Sequence, residues 1–187
     1  MIDHLEPNDS PIESLSLLNA YLHTVGVTLK PKVDRKAKAV ITIVCLPSFE
    51  VEWMLVLECS QSGHYTAYTS TADQKIWPLE ESKSITPIKS EAPVSTELGS
   101  TLHEIYRLAL KGTRYSDSPN MGLDGVTYHF SCDHMSGKTW SPPENSLPGK
   151  LGALSECLYR DTVAGKINER HISRIVHWFR CNLPGLV

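Results

Sequence analysis

The chain has 187 residues, which fits one domain at about 100–200 residues per domain. Hydrophobic residues make up 41% and charged residues 21% of the sequence, a composition that excludes a disordered chain. The 18 Lys and Arg residues against 21 Asp and Glu residues give a net charge of −3, so we expect no nucleic-acid and no membrane partner.

The first half of the chain predicts one helix followed by strands. A serine cap, a proline and leucines at helical spacing predict a helix over 11–25 that ends at Gly26. The β-branched residues of 39–45 predict a buried strand, and alternation around a turn predicts an antiparallel hairpin over 51–70. Prolines and serines predict a long, mobile connection over 78–93.

The second half predicts three helices and a second hairpin. Apolar spacing indicates helices over 96–111, 147–163 and 168–181. Alternating residues indicate a strand over 126–131, which returns through a strand around 139–141. We therefore predict a single α+β domain over 1–187, in which an antiparallel sheet of about four to six strands packs against about four helices.

The N-terminal residues and the cysteines indicate a reducing compartment. Residues 1–7 carry acids where an export signal needs positive charge, and the longest apolar stretches are shorter than the roughly 20 residues that span a bilayer. The five cysteines include no CxxC pair and no compact disulfide framework. The sequence therefore predicts a cytosolic protein.

No catalytic or cofactor motif in the sequence is complete. Gly137-Lys138-Thr139 resembles part of a phosphate-binding loop, but Cys132 stands where the first glycine is needed. His103 begins a zincin-like pattern in which Arg107 replaces the second histidine. We therefore expect no cofactor and no motif-based metal site, while a metal site built from residues distant in sequence stays open.

Cys132, His129 and His134 are the nearest approach to a Cys–His catalytic or metal cluster. In a regular strand, Cys132 points with Tyr128 and Phe130, whereas His129 points to the other face. We therefore favour solvent-facing histidines beside a structural cysteine, and an enzyme that uses these three side chains remains an alternative. The basic residues of the last predicted helix fit a solvated face better than a nucleic-acid surface, although the latter also stays open.

One segment resembles a pattern in small bacterial proteins. Leu-Asp-Gly-Val-Thr-Tyr-His-Phe at 123–130 and Gly-Lys-Thr-Trp-Ser-Pro at 137–142 match an LDG-x-x-Y-x-F strand that leads through a polar hairpin to a G-x-T-W-S-P strand and a leucine-rich helix. The match covers about residues 98–165. Proteins with this pattern are similar to the cytosolic immunity proteins encoded beside bacterial contact-dependent or type VI secretion toxins. The resemblance implies stoichiometric binding of a cognate toxin, and its motif carries no catalytic residue.

A nuclease toxin would present a basic cleft, which acidic side chains on loops or strand faces complement. On that expectation, the candidate partner-binding residues are Glu50, Glu52, Glu58, Glu80, Glu81, Asp117 and Asp133. A secretion adaptor or chaperone without catalytic activity is the other alternative function.

Overall fold

The α+β fold expected from the sequence is confirmed by a computed structural model, which describes residues 4–8, 16–30, 37–78, 84–114 and 124–186. Ten elements follow one another in chain order: α1 (Ser16–Thr28), β1 (Lys38–Pro47), β2 (Trp53–Cys59), β3 (Tyr65–Ala72), β4 (Pro87–Val94), α2 (Thr96–Lys111), β5 (Val126–Cys132), β6 (Met135–Trp140), α3 (Leu147–Val163) and α4 (Glu169–Asn182).

The strands form one six-stranded sheet in the order β4-β3-β2-β1-β5-β6, and every neighbouring pair is antiparallel. β1 pairs with β2 on one side and with β5, from the second half of the chain, on the other. The N-terminal segment extends the β6 edge, because Glu6 and Lys138 exchange two backbone hydrogen bonds. Both halves of the chain therefore contribute to the same sheet.

The two faces of the sheet carry different layers. Helices α2 and α3 pack on one face, and α4 packs against these two helices. Tyr106, Phe130 and Phe179 are completely buried in the larger core that these elements enclose. The Tyr106 hydroxyl lies 2.7 Å from the Ser155 hydroxyl and joins α2 to α3. The other face carries a smaller core, to which α1 contributes Tyr21 and Val25.

Helices α2 and α3 have the predicted bounds, because both begin at a serine cap. The Ser95 hydroxyl accepts a hydrogen bond from Leu98 N, and the Ser146 hydroxyl accepts one from Gly149 N. Asn168 caps α4 in the same way. None of the helices in the described ranges is long and apolar enough to cross a membrane.

The predicted end of the first helix at Gly26 is wrong. α1 continues to Thr28, and Leu29 N donates to Val25 O beyond it. Val25 and Leu29 are both fully buried against the sheet, so packing of the last turn overrides the helix-ending tendency of glycine. Residues 11–15 of the predicted helix lie outside the described residues.

The predicted connection over 78–93 is also wrong, because its second part forms the strand β4. Pro87 and Pro93 are compatible with this strand since β4 is an edge of the described sheet and pairs there with β3. Prolines and charged side chains are characteristic of edge strands, and here they concealed the strand. Residues 79–83 lie outside the described residues.

Candidate functional site

Two of the acidic residues expected to contact a partner are buried. Glu52 is fully buried, and Glu58 is 2% exposed, on the face that carries α1. The Glu52 carboxylate accepts hydrogen bonds from Tyr21 Oη at 2.5 Å, Ile76 N at 2.9 Å and Trp77 N at 3.1 Å. The expectation that Glu52 and Glu58 are exposed is therefore wrong, because both side chains lie on a face of the sheet that other parts of the chain cover instead of solvent.

The remaining acids of that set differ in their surroundings. Glu50 is exposed in the loop between β1 and β2. Asp133 lies in the turn between β5 and β6, where it binds Lys38 at 2.8 Å and His103 at 3.1 Å. The other three candidates lie outside the described residues: Glu80, Glu81 and Asp117.

The Cys–His cluster considered from the sequence does not form. Cys132 lies in the larger core with Phe130, as alternation predicted, while His129 lies on the opposite face. Burial raises the pKa of the Cys132 thiol to about 12, so this thiol is protonated at neutral pH. Its Sγ instead has a ligand atom of His103 and one of Asp133 within 4.8 Å, and His134 does not belong to this group.

The expectation that His129 faces solvent is wrong. Its Nδ1 lies 3.2 Å from Asn8 Oδ1, and its Nε2 is buried with no hydrogen-bond partner among the described residues. Burial and the nearby Lys138 ammonium lower the pKa of His129 to about 4. The N-terminal segment covers this ring, which no local pattern in the sequence indicated.

A groove of about 660 Å³ opens beside α3, on the face of the sheet that carries the larger core. The loop after β1 supplies Phe49 and Glu50, the turn before β5 supplies Asp124, and α3 supplies Glu156 and Arg160. Its volume falls within the range of about 300–1,000 Å³ that is usual for binding sites. Its volume and its aromatic and charged lining make it a candidate binding site.

Aromatic rings form much of the groove. Trp53 of β2 and Tyr159 of α3 stack with ring centroids 4.4 Å apart and an interplanar angle of 15°. The Tyr159 hydroxyl lies 2.8 Å from the Thr71 hydroxyl, which fixes the ring against β3. Phe49 also lines the groove and is 76% exposed, an unusual position for a phenylalanine.

The groove has a negative electrostatic balance. Three carboxylates, those of Glu50, Asp124 and Glu156, face one guanidinium, that of Arg160. The Tyr128 hydroxyl donates a hydrogen bond to Glu156 Oε1, and burial together with this carboxylate raises the pKa of Tyr128. The carboxylates favour a cationic group as the ligand.

The groove's chemistry suits binding better than nucleophilic catalysis. Cys45 lines it, but burial and the surrounding carboxylates raise the pKa of this thiol, so it stays protonated at neutral pH. A lysine or arginine side chain would meet the exposed Phe49 ring and carboxylates here, which together attract cations.

Sequence reasoning identified one residue of this groove, Glu50. The remaining residues come from segments far apart in sequence, such as Asp124 and Glu156. The one local signal was Phe49, an aromatic residue between a strand end and a glutamate.

Comparisons of this chain with protein-family models, with curated proteins and with solved structures found no match. The function proposed below therefore depends on the residues and the geometry of this chain.

Proposed function

We propose that this protein is a cytosolic immunity protein, which neutralises a bacterial toxin by stoichiometric binding, and that the groove beside α3 is its contact site. The observation that carries the proposal is the exposed Phe49 ring, which lies with three carboxylates in a groove that stacked aromatic rings also line. Exposed aromatic anchors surrounded by charge are typical of protein-binding sites.

The partner chemistry follows from the groove. A basic side chain of the toxin would bind between the carboxylates of Glu50 and Glu156 and contact the exposed Phe49 ring. Enzymes that act on nucleic acids carry such basic side chains in their clefts. Occupation of that cleft by an acidic protein surface would exclude the substrate, which is the proposed mechanism of inhibition.

The experiment is co-expression with the product of each adjacent gene. A neighbour that is toxic alone, that the chain protects against and that purifies with it in a one-to-one complex supports the proposal. Phe49→Ser is expected to raise the dissociation constant of the purified complex by about 30-fold, because the ring would become buried as an anchor when the toxin binds. Glu50→Lys is expected to weaken it by about 10-fold, mainly through slower association.

Glu91→Lys is the matched control, since Glu91 is an exposed acid on the edge strand β4, outside the groove. Its affinity for the toxin should equal that of the unchanged protein. If Glu91→Lys weakens the complex as much as Glu50→Lys does, net charge rather than the groove determines binding. If no neighbour is toxic, the immunity function is wrong, and the adaptor and enzyme alternatives take its place.

A further inference from the structure

Three metal-binding side chains meet at one corner of the fold. His103 projects from α2, Cys132 ends β5, and Asp133 occupies the following turn, with a φ of 55°. His103 Nε2 lies 3.1 Å from Asp133 Oδ2, and the ligand atoms of all three residues lie within 4.8 Å of one another. Metal–ligand distances of about 2.0–2.3 Å place tetrahedral ligand atoms roughly 3.3–3.8 Å apart, so small side-chain movements would bring the three donors to one ion.

We propose that His103, Cys132 and Asp133 form a binding site for a divalent transition metal, with zinc as the ion that the donors fit best. Imidazole nitrogen, thiolate sulfur and carboxylate oxygen are the donor types that zinc takes in proteins. On binding, the Cys132 thiol releases its proton to solvent, and its sulfur forms the bond to the metal. Three protein ligands leave the fourth tetrahedral position to water.

The carboxylate of Asp133 is already oriented for this role. Lys38 Nζ binds Oδ1 at 2.8 Å, while the other oxygen, Oδ2, points to His103. A metal bound to Oδ2 therefore leaves the Lys38 contact intact. Lys38 would act as a positioning residue, which holds the carboxylate as outer-shell partners of metal ligands do.

The site is accessible from solvent on one side. The side chains of His103 and Asp133 are 26% and 21% exposed, whereas Cys132 is 1% exposed. A metal ion therefore enters between the imidazole and the carboxylate and meets the sulfur beneath them. One thiolate and one carboxylate balance the two positive charges of the ion.

Two other Cys–His pairs provide a comparison within the chain. Cys181 Sγ lies 3.7 Å from His177 Nε2 on α4, and Cys157 Sγ lies 3.9 Å from His171 Nε2. Neither pair belongs to a group of three donors among the described residues. They therefore serve as the matched control, because they show whether a cysteine and a histidine without a third donor bind zinc.

The experiment titrates the purified, metal-free full chain with Zn²⁺ in competition with a chromogenic chelator, and with Co²⁺ followed by absorption. We expect one tight site, and a Co²⁺ spectrum with a thiolate charge-transfer band and the intense visible bands of tetrahedral coordination. Asp133→Asn and His103→Gln should each weaken Zn²⁺ binding by more than the roughly 10–100-fold typical of outer-shell changes. Lys38→Met should weaken it by about 10-fold.

These variants keep the test independent of folding. His103 and Asp133 are partly exposed, and asparagine readily adopts the positive φ of position 133. Cys132→Ser changes a buried residue, so the Co²⁺ charge-transfer band of the unchanged protein provides the separate evidence for a sulfur ligand. The double variant His177→Gln, Cys181→Ser should bind Zn²⁺ as the unchanged protein does.

Four results would overturn the proposal. Three are the absence of one-to-one Zn²⁺ binding, a Co²⁺ spectrum without the thiolate band, and an affinity in Asp133→Asn and His103→Gln equal to that of the unchanged protein. The fourth is loss of binding in the His177 and Cys181 variant, which would place the metal on α4. None of these results depends on a toxin, so the metal site and the immunity function are tested separately.

Discussion

The two faces of the sheet are stabilised in different ways. The face under α2, α3 and α4 is dominated by apolar side chains, with Phe130 and Leu55 at its centre. The opposite face has a smaller core and also buries Glu52, Glu58 and part of His129. The first face depends mainly on removal of apolar area from water, whereas the second also depends on specific partners for its polar groups.

The two faces are therefore expected to respond differently to pH and to the loss of hydrogen-bond partners. The core of the first face is less sensitive to acid, since its buried thiols and phenols have raised pKa values and stay protonated at neutral and acid pH. A face with a buried carboxylate and a buried imidazole loses stability whenever a hydrogen-bond partner is removed or a proton is added.

Phe130→Ala tests the larger core. Phe130 is fully buried between the rings of Tyr106 and Tyr128, at centroid distances of 5.8 and 6.0 Å. We expect the free energy of unfolding in urea to fall by about 4 kcal/mol, through lost burial and the cavity that remains. Met54→Ala in the smaller core should cost only about 2 kcal/mol. A larger loss for Met54→Ala would reverse the ranking of the two faces.

Glu52→Ala tests the polar interior of the second face. The change leaves the Tyr21 hydroxyl and the amides of Ile76 and Trp77 without their acceptor. We expect a loss of about 3 kcal/mol in the free energy of unfolding, because buried donors without partners are costly. Tyr21→Phe removes one donor and keeps the carboxylate, so it should cost about 1 kcal/mol. Equal losses in the two variants would contradict a network centred on Glu52.

His129 makes the second face sensitive to acid. Its pKa is about 4 in the fold and about 6.5 in the unfolded chain, so the unfolded state binds more protons between these values. The contribution of neutral His129 to the free energy of unfolding is therefore fully present above pH 6.5. It is lost as the pH falls to 4, which lowers the free energy of unfolding by up to about 3 kcal/mol. His129→Asn should flatten this part of the pH profile of urea unfolding. An unchanged slope in the variant would show that other groups cause the acid sensitivity.

Tyr159→Phe has the smallest expected effect, since it leaves the apolar face almost intact. The variant keeps the stacking on Trp53 and loses the hydroxyl contact with Thr71. We expect thermal unfolding to report a loss of about 1 kcal/mol, as for one hydrogen bond. Thr71→Val, which removes the other partner, should give a similar loss. A loss above about 3 kcal/mol would mean that the ring itself has moved.

Much of the fold could be predicted from local pattern. Helical spacing predicted the bounds of α2 and α3, which the structure shows to begin at serine caps, and alternation around turns predicted the two hairpins. β4 could not be predicted, because it contains prolines and charged residues, which are also common in loops. On an edge strand such residues oppose pairing with other chains. The extension of α1 past Gly26 likewise depends on burial of Leu29 on the sheet.

The candidate site was much less accessible to prediction. Glu52 and Glu58 alternate with apolar residues as exposed acids also do, and period-2 spacing cannot tell a solvated face from one covered by another helix. The proposed metal site could not be predicted from the sequence for a related reason. His103 and Asp133 are separated by 30 residues and meet through the packing of α2 on β5.

In the described part of the chain, local pattern was sufficient to place the four helices and every strand except β4, and to assign which side chains share a face, because helical and strand periodicities are local. The tertiary structure decided which face each layer covers, and hence the burial of Glu52, the neutral state of His129 and the assembly of the groove. The reason is physical: desolvation and long-range contacts depend on segments that the chain brings together only when it folds.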